Sequence, residues 1–106
     1  MSLEDDYMKL NEFQKVSTET IEKIDRKMNR DHDVDLTIVH LIEELGEIAR
    51  IIYNDKTKRA PVAKDAIGGE FADSMMLLAH LASKFDVDLE YSAEKKMEEL
   101  KKRFDL

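Results

Sequence analysis

The sequence predicts an all-α protein, a single four-helix bundle spanning residues 1–106. Three observations support that class. Apolar residues recur three and four apart through most of the chain, and no strand-like alternation of useful length interrupts them. Helix breakers are scarce, with three glycines and one proline in 106 residues. Charged residues make up 39% and hydrophobic residues 42%. That balance suits amphipathic helices joined by short links and is too apolar for a disordered chain. No unit of 20–50 residues repeats.

The first helix is expected from about Leu3 to Met28, on the spacing of Leu10, Phe13, Val16, Ile21, Ile24 and Met28. A polar link, Asn29 to Asp35, follows. The second helix is expected to start near Asp35 or Thr37, either of which could cap it, and to end near Tyr53 or Asn54. Asn54 to Lys64 reads as a loop, with Pro61 and the cations Lys56, Lys58 and Arg59. A third helix should run from around Lys64–Ile67 to Phe85, tolerating Gly68 and Gly69 in its first turns. Asp88 is a good N-cap for the last helix, Leu89 to about Phe104, where Ala93, Met97, Leu100 and Phe104 form a stripe.

Net charge is −7, which argues against binding nucleic acid polymers or anionic membrane surfaces. It leaves room for a nucleotide ligand, because metals invert a local field. With no cysteine there is neither disulfide framework nor thiolate chemistry. No apolar run approaches the ~20 residues of a membrane span, and the first residues are acidic rather than signal-like, so a cytoplasmic protein is expected.

The most informative segment runs from Ala66 to Ser83, eighteen residues whose only charges are Glu70 and Asp73. On a helical wheel Leu77 and Leu81 fall within about 20° of Glu70, and Ile67 and Phe85 within about 60°. Asp73 lies on the border of the same stripe. On the second helix Glu44 is similarly placed among Leu41, Ile48 and Ile51. Glu47 follows on its border, next to His40. An uncompensated carboxylate in such a stripe would cost several kcal/mol or stay protonated. Two helices that each bring a carboxylate pair to an apolar border call for cations, and the hard cation Mg²⁺ suits such ligands.

Glu43-Glu44-Leu45-Gly46-Glu47, a spacer of 22 residues and then Glu70-Phe71-Ala72-Asp73 resembles the E-E-x-x-E … E-x-x-D signature of MazG-like nucleoside triphosphate pyrophosphohydrolases. The resemblance continues through Val87-Asp88-Leu89 and Lys96-Met97 to Lys102-Arg103-Phe104, so it covers about residues 36–104. It implies an all-α fold and Mg²⁺, with Mn²⁺ as a possible substitute, held by Glu44, Glu47, Glu70 and Asp73. Glu43 matches the extra leading glutamate. The implied activity is cleavage of a (deoxy)nucleoside triphosphate to monophosphate and pyrophosphate by water attacking the α-phosphorus. A carboxylate beside that water can take its proton; Glu47 is the first candidate and Glu43 the second. Lys96 and Arg103, seven apart on one helix face, are the candidate phosphate-binding cations. The chain departs from the family where an asparagine is common, at Leu100, and in having no tryptophan. Base recognition is therefore not carried over.

Other features are weaker. His40 is expected to be a hydrogen-bonded neighbour of the site and His80 a partly buried histidine. Tyr53, Phe71 and Phe104 are expected in the core. Met75 and Met76 point to different faces. Asp31-x-Asp33-x-Asp35 is not a calcium loop, because Leu36 and Ile42 stand where Gly and Glu are needed. No Glu-x-x-His occurs, which disfavours a ferritin-like di-iron bundle. Apolar residues on more than one helix side predict a homodimer or homotetramer. The competing reading is a catalytically silent helical oligomer acting as an interaction or regulatory module.

Overall fold

Four helices follow one another in the computed structural model, which describes residues 8–106. They are α1 (Leu10–Met28), α2 (Val34–Lys56), α3 (Lys64–Lys84) and α4 (Leu89–Arg103). There is no strand among the described residues. The expected start of the first helix at Leu3 lies outside the described residues; within them helix begins at Leu10.

Helix ends follow local chemistry. α1 stops at Asn29, which takes the left-handed conformation at φ 52° and donates its N–H to the Asp25 carbonyl. The N-cap of α2 is Asp33, not Asp35 or Thr37: its Oδ1 accepts from the Leu36 N–H at 2.8 Å. Thr37 is fully buried, and its hydroxyl donates to the carbonyls of Asp33 and His32 at 2.6 and 3.2 Å. α2 continues past Asn54 to Lys56, and Lys58 then turns the chain at φ 59°. Asp88 caps α4 as expected, accepting from the Tyr91 N–H at 3.1 Å.

α3 is the central element, with α1 and α2 packed against it, while α4 leans on α1. Among the described residues the buried apolar side chains are few: Ile21, Leu77 and Ala79. Buried polar residues outnumber them, namely Gln14, Ser17, Asp25, His32, Thr37 and His80. Such groups are costly unless hydrogen-bonded; of these residues His80 keeps one ring nitrogen, Nδ1, without a partner. Gln14 shows how such bonds are made. Its amide donates to the Val87 carbonyl at 2.7 Å and to Ser83 Oγ at 3.1 Å, and its carbonyl accepts from the Leu89 N–H at 3.0 Å. One α1 side chain thereby fastens the α3–α4 turn and the start of α4.

The outer faces are unusually apolar. Tyr53, Phe71 and Phe104, expected in the core, are 51%, 48% and 62% exposed. Phe85, expected along the α3 stripe, is also exposed because the helix has ended before it. The α4 stripe is only partly covered: Ala93 and Leu100 are half-buried, Met97 and Phe104 open. The surface of 8576 Å² exceeds the roughly 6,100 Å² expected of a compact 12.3 kDa chain. The sequence places apolar residues correctly on faces, but one copy of the chain has too few helices to cover them all.

Gln14→Ala would leave the Val87 carbonyl and the Leu89 N–H without their partner. We expect a loss of about 1–3 kcal/mol in urea unfolding. A change below ~0.5 kcal/mol, the range of ordinary surface substitutions, would show that water replaces the glutamine.

Candidate metal centre

α2 and α3 pack with Glu44 of the first facing Glu70 and Asp73 of the second. Each of the three offers a carboxylate oxygen, and these oxygens lie within 4.8 Å of one another. Glu44 and Glu70 are half-buried and Asp73 is exposed, so the cluster runs from the helix interface out to solvent. The local cause is the wheel position of each acid. Leu41, Ile48 and Ile51 beside Glu44, and Ile67 and Leu77 beside Glu70, are drawn inward and carry the carboxylates with them.

Glu70 Oε2 is buried and has no hydrogen-bond partner when both glutamates are ionised. Two ionised carboxylates are acceptors only and cannot bond to each other; one added proton lets them share a hydrogen bond. That shared bond with Glu44 raises the Glu70 pKa above the usual glutamate range, and desolvation and the charges of Glu44 and Asp73 push the same way. A cation would relieve the same repulsion without a proton. Three hard carboxylate donors, one of them with a buried, unpaired oxygen, fit Mg²⁺ or Mn²⁺.

Beside the cluster lies a cavity of about 170 Å³. Ile21, Ile24, Met76 and Leu77 form its apolar wall, and Asp25, Arg30, His32, His40, Glu44 and Asp73 its polar one. Its volume far exceeds the ~10–15 Å³ that a single water requires. Met75, on the other side of α3, is exposed.

The remaining sequence candidates are placed differently. Glu47 follows Glu44 by one turn but is exposed and stands outside the group of three. Glu43 is exposed and lines a second hollow with Arg30, Leu36, Val39 and His40. Lys96 pairs with Glu99 on its own helix at 3.3 Å. The Arg103 guanidinium lies 5.4 Å from the centre of the Phe104 ring. Both cations are on α4, which packs on α1, whereas the carboxylates sit between α2 and α3.

Behind Glu44 runs a line of polar groups in which Asp25 and His32 were not singled out by sequence reasoning. His40 Nε2 is 3.2 Å from Glu44 Oε1. His40 Nδ1 is 2.9 Å from His32 Nε2, and His32 Nδ1 is 2.8 Å from Asp25 Oδ1. Burial by itself would raise the Asp25 pKa. Hydrogen bonds from the His32 ring and backbone and from Arg30 outweigh it and hold the carboxyl below its usual range. The signal was present: Asp25 follows Ile21 by four residues and so shares its buried face, the same test that exposed Glu70.

His80 is wholly buried and bonds the His32 carbonyl through Nε2 at 2.9 Å. Comparison of the chain with protein-family models, with curated proteins and with solved structures gives no match.

The pH dependence follows from Glu70. Its folded pKa is raised, so the metal-free folded state binds more protons than the unfolded state. The contribution is present below the ordinary glutamate pKa and is lost as pH rises through the raised value. Without metal, the melting temperature should fall over that interval, and Glu70→Gln should flatten the fall. Identical pH profiles for the two proteins would show that the carboxylates do not repel each other in solution.

Proposed function

We propose that this chain is a Mg²⁺-dependent pyrophosphohydrolase of (deoxy)nucleoside triphosphates, related to the MazG-like enzymes. The reading rests on one observation: three carboxylates from two helices converge, and one of them, Glu70, carries a buried oxygen that lacks a partner. The order of those acids in the sequence supports it, as does the cavity that opens beside them.

Glu44, Glu70 and Asp73 would hold the cation. When bound, Mg²⁺ supplies charge neutralisation for triphosphate oxygens and lowers the pKa of a coordinated water. The chain's own part is to fix the acids and to take the proton from the attacking water. Glu47 is suited to accept that proton. It is one turn from Glu44, solvent-accessible and outside the three-acid group, which leaves its carboxylate free to act as base. Glu43 is the second candidate. The apolar wall of Ile21, Ile24, Met76 and Leu77 suits the uncharged part of a substrate whose phosphates lie toward Glu44 and Asp73.

Lys96 and Arg103 retain a role as phosphate-binding cations in this proposal. They would come from α4 of a second copy, since α4 packs on α1 of its own chain. The exposed apolar residues of α2, α3 and α4, among them Ile42, Leu45, Phe71, Met75 and Met97, favour such a homodimer or homotetramer.

Two measurements test the function. A pyrophosphate-release screen over canonical and modified nucleoside triphosphates should give turnover with Mg²⁺ and none without it. Glu70→Gln should abolish that turnover while keeping the metal-free fold. Full activity in Glu70→Gln, or no turnover of any nucleotide, would overturn the enzyme reading, the second outcome in favour of a silent helical oligomer. Light scattering at micromolar concentration should report a dimer or tetramer; a monomer would remove the role given to a second copy.

A further inference from the structure

His32 is placed with more care than a turn residue needs. It is 4% exposed, and three helices hold it. From α1, Asp25 accepts from its backbone N–H at 2.7 Å and contacts its ring Nδ1 at 2.8 and 3.0 Å. From α2, the Thr37 hydroxyl donates to its carbonyl; from α3, His80 Nε2 does the same. All of this fixes one remaining group, ring Nε2, which points at His40 Nδ1. His40 is one-third exposed, so packing does not demand a histidine there. Its other nitrogen faces Glu44 at 3.2 Å.

We propose that Asp25, His32 and His40 form a positioning chain that aims the Glu44 carboxylate at the cation site, with His40 as the group that touches Glu44. This rests on the metal-site reading above. The carboxylates at its two ends fix which ring nitrogens of the chain must carry hydrogen. Asp25 accepts two backbone and side-chain N–H groups besides the ring, so it is an acceptor and His32 Nδ1 carries a hydrogen. An ionised Glu44 is also an acceptor, so His40 Nε2 must present a hydrogen to it. A third hydrogen lies between His32 Nε2 and His40 Nδ1, so the two rings together carry one positive charge, shared along the line between two carboxylates. Outer-shell contacts of this kind orient a ligand, and their loss typically costs 10–100-fold in metal affinity. His40 holds Glu44 Oε1 at 3.2 Å, and the same carboxylate offers an oxygen within 4.8 Å of those of Glu70 and Asp73 on α3.

The test uses the full chain and Mn²⁺ alone, with free Mn²⁺ counted by electron paramagnetic resonance. His40→Asn keeps an amide, able to accept or donate, where Nδ1 meets His32 but does not reach Glu44. His40→Gln keeps a nitrogen where Nε2 meets Glu44. Mn²⁺ affinity should fall about 10-fold in His40→Asn and stay within about threefold of the parent in His40→Gln, with both variants folded by thermal melts without metal. Equal affinity in parent and His40→Asn, or equal loss in both variants, overturns the chain while leaving the metal site standing. A parent that binds no Mn²⁺ overturns both. A measurement on the parent alone covers the case of a variant that does not fold. Mg²⁺ should shift the ring nitrogen resonances of His32, which is no metal ligand, together with those of His40. Saturation with Mg²⁺ that leaves the His32 ring unmoved overturns the proposal.

Discussion

The Asp25 carboxylate is the contact on which the arrangement of the first three helices depends. It receives the Arg30 guanidinium, the His32 backbone N–H and the His32 ring, all from the short stretch of chain that follows it. A buried carboxylate is costly, and one so fully hydrogen-bonded recovers that cost while fixing direction. The turn it organises sets where Asp33 caps α2 and how Thr37 is buried. The phase of α2 against α3 follows from that start, and this phase turns Glu44 toward Glu70 rather than toward water. His80 reaches the same turn from α3 through the His32 carbonyl, so the three helices meet at one residue.

The fold is correspondingly held by polar bonds to a degree that its small apolar core makes necessary. Ile21, Leu77 and Ala79 are the only buried apolar side chains among the described residues. Burial of a few such groups, at roughly 1.5–3 kcal/mol each for the larger ones, does not offset the ordering of about a hundred residues. Gln14, Thr37 and His80 supply specificity of contact instead. The exposed apolar faces contribute little to the fold of a single copy.

The carboxylate group stands against this background as a feature that works against folding. Like charges and desolvation both oppose bringing Glu44, Glu70 and Asp73 together. Where local preference and global structure conflict, the conflict commonly marks function. Asp25, by contrast, is an acid in the same kind of apolar face with every demand met. The difference between the two sites is the unpaired Oε2 of Glu70.

The helices, their faces and the inward placement of Glu44 and Glu70 were legible in the sequence, because they depend on a 3.6-residue period and on the scarcity of breakers. The cap at Asp88 was legible for a similar reason: it is a contact between near neighbours in the chain. The cap of α2 was not, since Asp31, Asp33 and Asp35 compete within one polar link, and the contact that holds His32, just before Asp33, comes from the distant Asp25. Nor could the wheel tell that Tyr53, Phe71 and Phe104 would stay exposed: it reports a face and is silent on whether a neighbour covers it. The line from Asp25 through His32 and His40 to Glu44 was likewise decided by tertiary structure. It joins residues of α1, a turn and α2 through ring nitrogens, and a distance across space leaves no period in a sequence.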